Sequence, residues 1–92
     1  MDMSDWRDKI DGVDCRIVEL LNERARYVLA LAPLKKRAGM PIYEPTREQH
    51  VFENIARHNG GPLAPDAVRR IYERVIDEMR SIQREPMEKE KK

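Results

Sequence analysis

The chain has 92 residues, 40% of them apolar and 38% charged, with a formal net charge of +1; that length holds one domain with a modest core, which a partner subunit would help to bury. The near-neutral balance excludes a broad electrostatic pull toward nucleic acid or anionic membrane, so any anion site must come from local clustering of cations. The single cysteine, Cys15, excludes an internal disulfide and fits a reduced, cytoplasmic setting; residues 1–6 are polar with no signal core, and no run reaches the roughly 18 apolar residues needed to cross a bilayer.

The first element is a very long helix. Ser4 is its expected N-cap, with Asp5 and Asp8 favourable near a helix start. From there to about Ala38 only Gly12 and Pro33 interrupt good helix formers. Ile10, Val13, Ile17, Leu20, Leu21, Val28 and Leu31 recur at helical spacing and define one apolar stripe. About 35 residues would span about 50 Å, too long for a compact monomer of this size. Pro33 should bend the last turns and Gly39 should end the helix. Residues 40–44 read as a connecting loop. Pro45 suits the first position of a second, short helix carrying Val51, Phe52 and Ile55, which Asn59-Gly60-Gly61-Pro62 stops. Pro65 begins a third helix of medium length, striped by Val68, Ile71, Tyr72, Val75, Ile76, Met79 and Ile82. Pro86 should end it, leaving residues 87–92 as a charged, disordered tail beyond a domain of residues 1–86. No segment alternates as a strand does, so the expected class is all-α.

Some charged residues fall where core is expected. At about 100° per residue, Arg24 and Lys35 return to within roughly 20° of the stripe centre at Ile17. On the second helix Glu48 precedes Phe52 by four and Ile55 by seven, with Glu44 one turn further back; on the third, Gln83 follows Met79 by four. Two readings stand at this point. Arg24 or Lys35 could pair with Glu48 in a buried network that sets helix register. Alternatively, Arg24, Lys35, Arg7 and Arg47 outnumber Glu48 and Glu44, and the surplus suits a ligand with carboxylates that arginine grips bidentately.

Four segments carry a resemblance: W-R-D-K-I-D-G-V-D at the start, L-L-N-E-R-A-R in mid-helix, L-K-K-R-A-G-M-P-I-Y-E-P-T-R-E at the turn and I-D-E-M-R-S-I-Q near the end. Over roughly residues 6–83 the chain resembles the all-helical class of chorismate mutases, most specifically at I-Y-E-P-T-R-E. The resemblance implies three helices in an intertwined homodimer with two shared sites. It also implies a cofactor-free [3,3] rearrangement of chorismate to prephenate in the shikimate pathway of aromatic amino-acid biosynthesis. Carried over, Arg24 binds a substrate carboxylate and Arg7 reaches across from the partner protomer. Lys35 binds the ether oxygen and a carboxylate, and Gln83 donates to the same ether oxygen. Glu48 accepts from the ring hydroxyl, and Arg47 lines the pocket beside the acidic side chains. The chain departs from the family pattern at Glu44, where aspartate is usual, at Met79, where many members have a small polar residue near the ring carboxylate, and at Pro33.

Such a reaction needs no nucleophile, general base or metal. It needs the substrate folded into a chair, and fixed donors where negative charge grows on the ether oxygen. His50 and His58 lack metal-ligand spacing, and Cys15 lies off the stripe with no neighbouring histidine. Trp6 and Tyr27 read as packing or dimer contacts. Lys35-Lys36-Arg37 lacks the interleaved aromatics of a nucleic-acid site. An isochorismate-pyruvate lyase shares the Arg, Lys and Gln positions and is the alternative enzyme. A non-catalytic regulatory helical dimer is the alternative outside enzymes.

Overall fold

The computed structural model describes the backbone of residues 1–90 and the side chains of residues 1–84. Helix α1 spans Met3–Arg37, α2 Pro45–His58 and α3 Pro65–Glu90, with no strand among the described residues. The long, short and medium order expected from periodicity is present, in an all-helical chain.

Local chemistry explains the ends. The N-cap of α1 is Asp2, not Ser4, because an aspartate pair closes a reciprocal box that the serine would forgo. The Asp5 backbone N–H donates to Asp2 Oδ1 at 2.9 Å, and the Asp2 backbone N–H donates to Asp5 Oδ2 at 3.0 Å. The helix runs unbroken through Pro33 and closes with Lys35, Lys36 and Arg37 in its last turn, where cations favour the dipole. Gly39 then takes φ of 71°, a left-handed conformation that a β-carbon disfavours. Pro45 opens α2 and Pro65 opens α3 as expected. At the end of α2 the Asn59 side chain accepts from the Gly61 N–H and donates to the Leu63 carbonyl, both at 3.0 Å. Pro86 does not end α3, which continues to Glu90. Of the tail expected at residues 87–92, residues 91 and 92 and every side chain lie outside the described residues.

Both α1 and α2 pack on α3. The assembly measures 54 × 27 × 16 Å with a radius of gyration of 16.6 Å, against about 12 Å for a compact domain of this length. Its accessible surface is 7542 Å², against about 5,600 Å² for a compact monomer of this mass. The buried residues among those described are Ile76, Met79, Lys35 and Gln83, so apolar and polar groups contribute equally to the core. All of the apolar stripe of α1 except Val28 is exposed to solvent: Ile10, Val13, Ile17, Leu20, Leu21 and Leu31, with Trp6 exposed one turn before Ile10. Among the described residues no helix is long and apolar enough to cross a membrane.

Candidate active site

Where the C-terminal half of α1, the start of α2 and the C-terminal half of α3 meet, they enclose a cavity of about 320 Å³. That is at the small end of the range for ligand sites. Helix α1 supplies Arg24, Tyr27 and Lys35; the connection supplies Ile42 and Glu44; α2 supplies Arg47 and Glu48; α3 supplies Met79, Arg80 and Gln83. Val28, Leu31, Val51 and Ile76 complete the wall. Helical spacing makes this possible, since Arg24, Val28, Leu31 and Lys35 occupy one face of α1, and Ile76, Met79, Arg80 and Gln83 one face of α3.

Lys35 is the centre. It is 6% exposed, and a buried ammonium must be compensated. Its Nζ lies 3.1 Å from Glu44 Oε2 and donates to the Ile42 carbonyl at 3.2 Å and to Gln83 Oε1 at 3.4 Å. Three acceptors thus match the three N–H donors of an ammonium. Because its oxygen faces Lys35, the Gln83 amide turns its nitrogen the other way, and one N–H donates to the Met79 carbonyl at 3.2 Å. An amide nitrogen carries two hydrogens, so a second donor remains beside the cavity.

Glu48 is held differently. Its Oε2 lies 3.5 Å from Arg80 Nε. Neither pairing entertained from sequence forms: Lys35 pairs with Glu44, and Arg24 makes no ion pair with a described carboxylate. The Arg24 guanidinium instead lies 5.7 Å from the centre of the Tyr72 ring. Arg47 lines the cavity with no described carboxylate partner. Arg24, Lys35, Arg47 and Arg80 face only Glu44 and Glu48 across the cavity, a surplus of positive charge that suits a dianion.

Of the residues named from sequence, Arg24, Lys35, Glu44, Arg47, Glu48, Met79 and Gln83 all line this cavity. Arg7 does not. It lies toward the other end of α1, about 25 Å along the axis from Arg24 and about 42 Å from Lys35 at 1.5 Å per residue. Tyr27, read from sequence as a packing or dimer contact, also lines the cavity wall, and its hydroxyl donates to Glu23 Oε1 at 3.0 Å. That hydrogen bond, with the charge of Glu23, raises the phenol pKa above 10.0. Arg80 is not singled out by the sequence patterns above. Its spacing was the available signal, four after Ile76 and three before Gln83. A second, apolar groove of about 470 Å³ lies between α1 and α3, lined by Leu21, Ala25, Ile71, Val75 and Ile82 among others. Met79 separates the two, lining both.

Comparison with known proteins shows the family of the chain. The chain is 34% identical over 87 residues to a bifunctional chorismate mutase/prephenate dehydratase of Aquifex aeolicus, a match that covers 90% of this chain and 24% of the relative. The chain therefore spans about a quarter of that relative's length. A chorismate mutase structure from Thermus thermophilus superposes with a TM-score of 0.86 at 26% identity, covering 89% of this chain and 93% of that one. The chorismate mutase of Helicobacter pylori in complex with prephenate superposes with a TM-score of 0.85 at 26% identity, covering 94% and 93%. The family model for chorismate mutase type II matches residues 6–84, from the first turns of α1 to just past Gln83. The chain belongs to the chorismate mutase type II family.

Proposed function

We propose that this chain, through the domain of residues 1–86, is a cytoplasmic chorismate mutase, an isomerase that converts chorismate to prephenate by a [3,3] rearrangement. The observation that carries the reading is the pair of buried polar side chains, Lys35 and Gln83, set 3.4 Å apart at a cavity with surplus positive charge. The rearrangement breaks a C–O bond as a C–C bond forms within one molecule, so no proton or group passes to the protein. Arg24 and Arg47 provide fixed cations for the carboxylates, which holds the enolpyruvyl arm over the ring. The ether oxygen gains negative charge as the C–O bond breaks. It takes the place of the longest Lys35 contact, the one to Gln83, and receives the second Gln83 N–H from the other side. Donors already fixed by Glu44, Ile42 and Met79 need no reorganisation, which is why they favour the transition state over the ground state. Glu48 accepts from the ring hydroxyl.

The same reading includes a homodimer with shared sites. Support comes from the excess surface, the exposed stripe of Trp6, Ile10, Val13 and Ile17, and the apolar groove beside Leu21 and Ile71, which a second copy would cover. Antiparallel packing of two long helices brings Arg7 of one protomer to the cavity of the other and supplies a further cation. The test is loss of chorismate absorbance with purified protein, with isochorismate as the control substrate. Prephenate formed from chorismate is the expected result. Pyruvate release from isochorismate without prephenate formation would overturn the proposal.

A further inference from the structure

Arg80 lines the cavity but has no part in the substrate contacts described so far. Its guanidinium touches three parts of the fold. On its own helix, Nη2 donates to Asp77 Oδ1 at 2.8 Å. Toward α2, Nε lies 3.5 Å from Glu48 Oε2. Against the connection between α1 and α2, the guanidinium lies 5.1 Å from the centre of the Tyr43 ring. Nε is buried and has no hydrogen-bond partner, although the Glu48 carboxylate is its ion-pair neighbour. A buried donor left unpaired is unfavourable, so a small movement of Glu48 toward Arg80 gains a charge-assisted hydrogen bond. Glu48 itself makes no side-chain hydrogen bond to any other described residue.

We infer that Arg80 is a positioning residue: it orients the Glu48 carboxylate toward the ligand hydroxyl, with Asp77 and Tyr43 holding the guanidinium in place. This rests on the chorismate mutase reading, since Glu48 is the group through which Arg80 acts. The planar fork suits the task, because Arg can satisfy Asp77 and Glu48 at once while a point charge serves one at a time. The geometry also separates Arg80 from Arg24 and Arg47, whose guanidinium groups pair with no described carboxylate. Arg80 is tied to two acidic side chains and fixes protein; the other two remain for ligand.

The experiment is a kinetic double-mutant cycle with Arg80→Ala, Glu48→Ala and both together, on protein checked for helix content by circular dichroism. Arg80→Ala should lower kcat by about tenfold or more while KM changes by less than about threefold, the signature of misplacement rather than lost binding. In the Glu48→Ala background the same change should cost less than about twofold further. Arg80→Lys keeps the stem and one charge for Glu48, so it should regain part of the lost kcat, but only where Glu48 is present. Should Arg80→Ala fail to fold, Arg80→Gln takes its place in the cycle. Losses that multiply in the double variant, a kcat equal to that of the parent, or a defect confined to KM would each overturn the inference. A parent protein inert toward chorismate would instead overturn the reading beneath it.

Discussion

The two ends of α1 obey opposite rules. Toward Met3, apolar side chains face water: Trp6 is 56% and Ile10 58% exposed. Toward Arg37, the one residue of the helix that is buried is a lysine, Lys35. One continuous helix therefore places hydrophobic groups where this chain has nothing to cover them, and a charge where it has α3 and the connecting segment. The near end of the site is complete within the chain, because Glu44, Ile42 and Gln83 satisfy Lys35. At the far end Trp6, Ile10, Val13 and Ile17 are left uncovered by this chain. That contrast teaches that the chain by itself completes burial and chemistry at one end of α1 only; in the proposed homodimer a second copy covers the other.

The sharpest way to break the comparison is to remove the buried charge. Lys35→Ala should lower kcat by about 10²–10³, as loss of a fixed donor to developing negative charge does. It should leave the oligomeric state unchanged, which sedimentation would check. A dimer that dissociates on this change would mean that the two ends of α1 are not independent.

Gln83→Glu should be nearly as severe at pH 7, by about 10². A carboxylate donates only when protonated, so the rate should recover as the pH falls through the pKa of the new carboxyl group. The structure adds an opposing effect, since Lys35 lies 3.4 Å from the Gln83 oxygen and favours the ionised form, while an anionic substrate disfavours it. Recovery nearer the ordinary value of about 4.3 than neutrality would show that Lys35 prevails. Rate profiles from about pH 4.5 to 8, beside Gln83→Ala, which should be poor throughout, read this directly.

The exposed end is tested by mixing. Arg7→Ala and Lys35→Ala proteins, each inactive alone, should after subunit exchange regain about a quarter of the parent activity, because heterodimers place both defects in one site. Silence after verified exchange would mean that Arg7 does not act across the interface. Ile17→Asp should convert the proposed dimer to a partly unfolded monomer at micromolar concentration, since a charge placed in the proposed apolar interface would lack a partner; light scattering with circular dichroism measures both.

The smallest effect belongs to the boundary of the two regimes. Gly39 has φ of 71°, and a β-carbon added there would meet no atom within 4 Å. Gly39→Ala should therefore lower stability by about 1–2 kcal/mol through conformation alone, read as a shift in the urea midpoint. A large loss of kcat would show that this corner also aims Lys35.

Periodicity, prolines and Gly39 were enough, from the amino acids alone, to define an all-helical chain of long, short and medium helices, because these are local properties of 3.6-residue repeats and fixed φ angles. They also brought Arg24, Lys35, Glu48 and Gln83 to the inner faces, since a face is a matter of spacing. The helix ends were less legible: a capping box at Asp2 displaced Ser4, and Pro86 did not stop α3. Partnership was not legible at all. Only the packing of α1 and α2 on α3 decided that Lys35 takes Glu44 while Glu48 meets Arg80, and that Tyr27 and Arg80 join the cavity wall. Which carboxylate lies within about 4 Å of which cation depends on how helices far apart in the chain cross, and Coulomb energy at that range decides pairing far more steeply than any one-dimensional pattern records.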